Sequence, residues 1–407
     1  MKRGVEARVV AATLLQRIIN EGAYSNVVIR TGTEDMERRD ALFVQLLVYT
    51  AIRYLRRIDR TIDQRVSREV DTVVRDILRI GVAEVLFTDG EPHAVVDSAV
   101  EATRALDVPR ASGFVNGVLR AVQRKGEPPL PDGPSGEALR LGAPQWLYLD
   151  LVSAYGVDTA TAFLESSNLP TRIGVRRRSG EPPGRPVRGI DDAFVLDDIA
   201  AHRGAIADGE LVISDPSSTA VAAALEPKPG DRILDLAAAP GGKTLHLSDL
   251  VSGKGRIVAM DRHERRAGIA RQRTQRWGTG IEWVVGDAVA PPFAEATFDR
   301  VLLDAPCTGL GTLRRRPEIR HRIEDGSAAR AGRLQRRMLE AALPLLREGG
   351  RLVYSVCTVT PEETTEVVKG TGSRAPAGVP GAALAGGVLL APHITGSDGM
   401  FVAVIDR

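Results

Sequence analysis

The second half of the chain alternates short apolar runs with helical stretches, and this alternation restricts the possible folds more than any other feature. The runs fall at residues 232–236, 256–260, 281–285, 300–303 and 351–355. Continuous apolar runs of this length suit strands covered on both faces, as in a parallel sheet flanked by helices. They predict an α/β domain with a doubly wound sheet. Ligands of such sheets bind beyond the carboxyl ends of the strands, so the residues that follow each run are where chemistry is expected.

Before residue 230 the pattern differs. Apolar residues recur at helical spacing from residue 9 to about 125, as in Val10, Leu14 and Ile18 and again in Leu42, Leu46 and Tyr49. Residues 1–126 are therefore expected to form an all-helical domain. Residues 126–136 hold four prolines and two acids, a composition hostile to both helix and strand, and a linker is placed at 127–139. Residues 140–213 read as a small α+β subdomain, with a helix from Trp146 and a basic stretch at Arg176, Arg177 and Arg178. The catalytic domain is assigned to 214–407.

A chain of 407 residues with 43% apolar content can bury two or three cores. Its 54 basic residues against 52 acidic ones decide nothing about an anionic partner, so only local charge can. Two cysteines, Cys307 and Cys357, exclude a disulfide framework and lack the paired spacing of a zinc site. A reducing, cytoplasmic setting is expected, without a metal. The N-terminus is broken by charges and does not read as a signal peptide. The uncharged stretch 375–392 contains four glycines and three prolines and reads as a loop, so no membrane span is expected. A monomer is favoured.

The first run opens into Ala237, Ala238, Ala239, Pro240, Gly241, Gly242 and Lys243, followed by a helix. Small residues let backbone approach a ligand, and the helix N-terminus presents free N–H groups. The second run ends at Asp261, where a carboxylate can accept ribose hydroxyls. The third ends at Gly286-Asp287, where a second acid can meet the exocyclic amine of adenine. Together these describe an adenosine site. A P-loop is the rival reading, because Gly242-Lys243-Thr244 and the later run ending in Asp304 imitate its two motifs. Ala237 occupies the position of the first P-loop glycine, and Pro240 stands inside the loop that would wrap phosphates. An adenosine ligand without a triphosphate fits better.

Both cysteines follow predicted strands, in Asp304-Ala305-Pro306-Cys307-Thr308-Gly309 and Ser355-Val356-Cys357-Thr358. Two thiols at one sheet edge beside an adenosine site suit a reaction at a methyl donor. C5 of cytosine is a poor nucleophile; a thiolate that adds to C6 turns C5 into an enamine-like carbon able to attack a sulfonium methyl. The attacking thiol should ionise below the free value of about 8.5, helped by a nearby cation. Asp304 at the same edge could hydrogen-bond the N3/N4 side of the base. The residues alone do not say which thiol attacks.

These motifs resemble the RsmB/Nop2/Sun family of RNA cytosine-C5 methyltransferases, together with Cys357-Thr358-Val359-Thr360-Pro361-Glu362-Glu363 and Asp398-Gly399-Met400-Phe401. The resemblance implies a Rossmann-like catalytic domain that uses S-adenosyl-L-methionine, with Cys357 as nucleophile and Cys307 assisting product release. It places cofactor contacts on Ala237 to Lys243, Asp261, Asp287 and Asp304. Ala237, Val356 and Thr364 depart from the family's usual Cys, Thr and Asn. The front domain is similar to NusB-type RNA-binding domains through 39–42, 49–53 and 113–120, which favours 16S rRNA over tRNA as substrate, with a tRNA cytosine-C5 methyltransferase as the alternative reading. An RNA-binding assembly factor of the same fold is a further reading. Nine arginines between Arg314 and Arg337 are expected to meet RNA phosphates, with Arg176–Arg178 as a second contact.

Overall fold

The computed structural model describes residues 3–277 and 280–407; Met1 and Lys2, which head the N-terminal stretch read above, lie outside the described residues. The chain divides into two compact units, Met1–Asn168 with Arg315–Arg322, and Leu169–Arg314 with Ile323–Arg407.

The first unit is helical. Helices Arg3–Ile19, Arg38–Arg53, Thr72–Phe87 and Ser112–Lys125 bury a core that includes Leu15, Ile18, Leu47, Leu78 and Leu119. Asp71 caps one of them, its carboxylate accepting the Val73 and Val74 amides. Leu42 and Leu46 sit at helical spacing yet are 55% and 48% exposed, because Val44, Leu47, Val48 and Ala51 form the buried face of the same helix. When apolar residues occupy both faces, spacing identifies the helix but packing chooses the side. Within the expected linker a helix begins at Gly133 (Gly133–Arg140), with Pro134 in its first turn, where a missing N–H costs nothing. Helices Gln145–Tyr155 and Val157–Ser167 complete the unit.

The short segment Arg315–Arg322 is built into this unit by polar contacts. Glu318 is buried and accepts the amide and hydroxyl of Ser25 at 3.2 and 2.7 Å. The fully buried Arg320 gives Nη1 to Asn168 Oδ1 at 2.9 Å and to the carbonyls of Leu141 and Gly142, each at 3.3 Å.

The second unit holds two sheets. Strands β1 (Ile173–Arg177), β2 (Arg185–Pro186), β3 (Ala193–Leu196) and β4 (Leu211–Ile213) pair antiparallel in the order β2-β3-β1-β4. The larger sheet contains β5 (Arg232–Asp235), β6 (Arg256–Asp261), β7 (Glu282–Val285), β8 (Phe298–Asp304), β9 (Leu346–Val356), β10 (Ala382–Leu384), β11 (Gly387–Leu390) and β12 (Met400–Asp406). Its order is β10-β11-β12-β9-β8-β5-β6-β7. The five apolar runs fall on β5 to β9, all parallel. Three antiparallel strands extend the sheet beyond β9, so it is mixed rather than wholly parallel. Part of the Gly- and Pro-rich stretch read as a loop forms the hairpin β10–β11.

The chain winds outward from β5 through β6 to β7 and then crosses back from β7 to β8 on the other side of β5, so the switch point lies between β5 and β8 at the carboxyl edge. Among the described residues no helix is long and apolar enough to cross a membrane, and no group of three or more His, Cys, Asp or Glu is placed to hold a metal ion.

Candidate active site

Strand β5 ends in Asp235, and the loop beyond it is held in place by backbone bonds to the neighbouring strands. Leu236 N donates to Leu302 O at 2.9 Å and Ala238 N to Met260 O at 2.8 Å. The Ala239–Pro240 peptide is cis, and Gly241 has φ +93° before the helix Gly242–Leu250. A Cβ at Gly241 would lie 3.2 Å from Thr274 Cγ2, so both conformation and space call for glycine. Asp261, at the end of β6, is buried and accepts the Ala239 amide at 3.1 Å and the His263 amide at 2.9 Å. Each of its oxygens therefore keeps a second lone pair for a ligand hydroxyl. Asp287, beyond β7, is half-exposed; it accepts the Val289 amide at 3.0 Å and lies 3.8 Å from Arg262.

Asp304 ends β8 and connects this loop to the thiols. Its Oδ2 accepts from Lys243 Nζ at 2.8 Å and its Oδ1 from Ser355 Oγ at 2.7 Å. Burial would lower the Lys243 ammonium, but the adjacent Asp304 carboxylate outweighs it and the group is raised. Lys243 is thus fixed as a cation at the sheet edge.

The two cysteines meet here, with Cys307 Sγ and Cys357 Sγ 3.3 Å apart. The hydrogen bond from Cys307 is the largest influence on Cys357 and lowers its thiol below the ordinary value; Lys243 acts in the same direction, against burial and the charges of Asp304 and Asp398. Cys307 moves the opposite way, well above its ordinary value, through its hydrogen bond with Cys357, its partial burial and the nearby negative charges of Glu363 and Asp304. One sulfur is poised to carry negative charge and the other to keep its proton.

The surrounding loops are pinned by close backbone approach. Gly311 N donates to Cys357 O at 3.0 Å and Gly399 N to Gly311 O at 2.8 Å. A Cβ on Gly311 would come within 2.0 Å of Gly399 O. The Asp398-Gly399 motif thereby holds the loop that follows Cys307 against the one that carries Cys357.

Comparison with known proteins gives these residues a setting. Residues 222–406 match the family described as 16S rRNA methyltransferase RsmB/F, and residues 5–124 match the NusB family. The ribosomal RNA small subunit methyltransferase B of Salmonella newport is 30% identical over 92% of this chain and 92% of its own. The chain belongs to the RsmB/F methyltransferase family. A probable member from Bacillus subtilis is 28% identical over 97% of both chains. The crystal structure of PH0851 superposes with a TM-score of 0.84 at 25% identity, covering 100% of this chain and 98% of that one. The fold is accordingly a NusB-like helical domain followed by a Rossmann-like methyltransferase domain, and the P-loop reading is set aside.

For this family member the two basic clusters need correction. Arg176 and Arg178 both pair with Asp249, at 2.7 and 2.9 Å, and Arg177 with Asp192 at 2.8 Å, so this cluster fastens the small sheet rather than presenting a cationic face. In the 314–337 run, Arg314 donates to the carbonyls of Pro170 and Gly396, Arg322 to those of Ile18 and Ala23, and Arg336 to those of Val367 and Lys369. Arg316 lies over the Tyr24 ring and Arg320 is buried. Arg330, Arg333 and Arg337 are exposed on the helix Ser327–Ala342. Of the departures from the family pattern, Thr364 makes its own local bond, donating to Thr360 O at 2.8 Å. Glu363 and Gln335 were given no role by the sequence reading; the loops around the thiols converge on both.

Proposed function

We propose that this protein transfers a methyl group from S-adenosyl-L-methionine to C5 of a cytosine in 16S rRNA, by way of a covalent bond between Cys357 and C6 of the base. The observation that carries the reading is the thiol pair, 3.3 Å apart, with the ionisation of Cys357 favoured and that of Cys307 disfavoured. A lone buried cysteine would need no such partner.

The residues present suit the methyl donor. The loop Ala237 to Lys243, with its glycine in the left-handed region, leaves room for close backbone contact. Asp261 keeps acceptor capacity for ribose hydroxyls, and the half-exposed Asp287 beyond β7 is assigned the exocyclic amine of adenine. When bound, the cofactor supplies an electrophilic methyl group. Cys357 adds as thiolate to C6, and the ring's displaced electrons make C5 nucleophilic. Asp304, oriented by Lys243 and Ser355, faces the base and hydrogen-bonds its N3/N4 edge while the ring holds the extra electrons. Once C5 has taken the methyl group, a base removes the C5 proton and the Cys357–C6 bond breaks, with Cys307 as the thiol that assists release. Arg333 and Arg337, with Arg330 beyond its bond to Ser327 Oγ, are exposed where they can meet phosphates, and the NusB-like domain supplies a second RNA-binding surface.

The test is methyl transfer from tritium-labelled S-adenosylmethionine to unmodified 16S rRNA and, in parallel, to total tRNA. Label is expected in rRNA, abolished by Cys357→Ala, while Cys307→Ala accumulates a protein–RNA adduct that survives denaturing gels. Label confined to tRNA would overturn the substrate, and transfer that survives Cys357→Ala would overturn the mechanism.

A further inference from the structure

Glu363 is fully buried, and its carboxylate is enclosed by five donors. Oε1 accepts the Thr308 amide at 2.9 Å and Gln335 Nε2 at 3.0 Å. Oε2 accepts the hydroxyls of Thr308, Thr358 and Thr360 at 2.5, 3.1 and 3.0 Å. Thr308 follows Cys307 and Thr358 follows Cys357, so one carboxylate holds the chain directly after both sulfurs. Gln335 also donates to Pro306 O at 2.9 Å, which fixes the residue before Cys307. Tyr354, buried, places its hydroxyl 3.0 Å from Gln335 Oε1 and 2.7 Å from Glu363 O.

A purely mechanical link between two loops could be made by neutral groups. Burying a carboxylate is costly, and five N–H and O–H donors offset that cost without cancelling the charge. We propose that Glu363 is a positioning residue that sets the division of labour in the thiol pair: it locks both sulfur-bearing loops together and keeps Cys307 as the protonated partner. Its negative charge disfavours a second anion at Cys307. Cys307 then holds its proton toward Cys357, and the single negative charge of the pair settles on Cys357. The inference rests on the function proposed above only for which sulfur attacks the base; the partition of charge between the sulfurs stands apart from it.

Glu363→Gln separates the two roles. The amide oxygen can take the place of Oε1 and go on accepting from Thr308 N and Gln335, while two of the three threonine hydroxyls can turn to accept from the two N–H groups of the amide. The link persists and the charge is lost. The experiment is alkylation of the full-length protein by iodoacetamide across pH 6 to 10, read by mass spectrometry at each cysteine, with methyl transfer measured on the same samples. In the wild type Cys357 should react first and Cys307 lag. In Glu363→Gln the ratio of Cys307 to Cys357 labelling at neutral pH should rise about tenfold, the effect of one pKa unit, with kcat falling and KM for the cofactor unchanged. Glu363→Asp keeps the charge and should keep the wild-type labelling ratio. Thr308→Val serves if the glutamine variant does not fold, since it removes one donor to the carboxylate while preserving shape and charge; the less offset charge should lower Cys307 labelling relative to Cys357. An unchanged labelling profile in a folded Glu363→Gln or Thr308→Val protein would overturn the proposal. If the wild type methylates no RNA while the labelling shifts as described, the function is wrong and this inference survives.

Discussion

At the scale of single residues, the carboxyl of Asp235 shows how the site trades stability for position. It is fully buried at the end of β5 and accepts Thr244 Oγ1 at 2.7 Å. Burial raises its pKa from 3.8 to about 7, Asp304 pushing the same way and Lys243 opposing. Between those two values the folded chain holds a proton that the unfolded chain has released. This group's contribution therefore becomes less favourable as pH rises through the window, and the penalty is complete above it. A shift of this size is worth up to about 4 kcal/mol. Asp235→Asn has the same shape and does not titrate, so thermal melts of ligand-free protein should show the variant's Tm nearly equal to the wild type at pH 4 and higher by several degrees at pH 8. Parallel Tm curves would show that the carboxyl is not the source. Asp261, Asp287, Asp304, Cys307 and Cys357 could be picked out from sequence because each follows a strand, a signal written along the chain. Glu363 could not, since its donors lie up to 55 residues away and meet only when three loops fold.

Among elements, the legible strands are those of the parallel half of the sheet, most of them buried on both faces, with the half-exposed edge strand β7 still marked by its apolar run. Strands β5 to β9 announce themselves through continuous apolar runs, whereas β10 and β11 are three and four residues long within a stretch rich in Gly and Pro. Their pairing depends on β12, which pairs with β9 along Phe401 to Asp406, and no local pattern reports that. The register of these late strands matters to the site because Gly399, just before β12, touches Gly311. Gly311→Ala would force the loop after Cys307 away from Gly399 O and should destabilise the domain by about 3 kcal/mol, the range of overpacking. Gly268→Ala is the matched control. It lies in the helix Glu264–Gln275 with open space where a Cβ would stand, and it should stabilise by about 1 kcal/mol through helix propensity. Denaturant unfolding of the full chain measures both, and equal midpoints for the two variants would refute the close-approach argument.

For the molecule as a whole, the segment Arg315–Arg322 is the least legible feature. Its arginines read as a cationic surface because charge along a sequence carries no direction, and a guanidinium can serve carbonyls as well as phosphates. Arg320 is the extreme case: it is fully buried, and its pKa is brought down to about 9 by burial and by the neighbouring Arg53 charge, which still leaves it charged at neutral pH. Its acceptors come from three places in the first unit, at Arg53, at Leu141 and Gly142, and at Asn168. One side chain thus ties the helix Arg38–Arg53 to the helices that precede and follow Gln145–Tyr155. Arg320→Leu would leave those oxygens buried without their donor, at a cost of about 3 kcal/mol. The loss should be local to the unit that contains the segment. Hydrogen exchange on the full-length variant should therefore speed by about two orders of magnitude in peptides from Arg38–Arg53, Gly133–Arg140 and Val157–Ser167, while β5 to β9 exchange as in the wild type. Uniform acceleration across both units, or none in either, would mean that Arg320 does not anchor the helical unit and that its charge has another purpose.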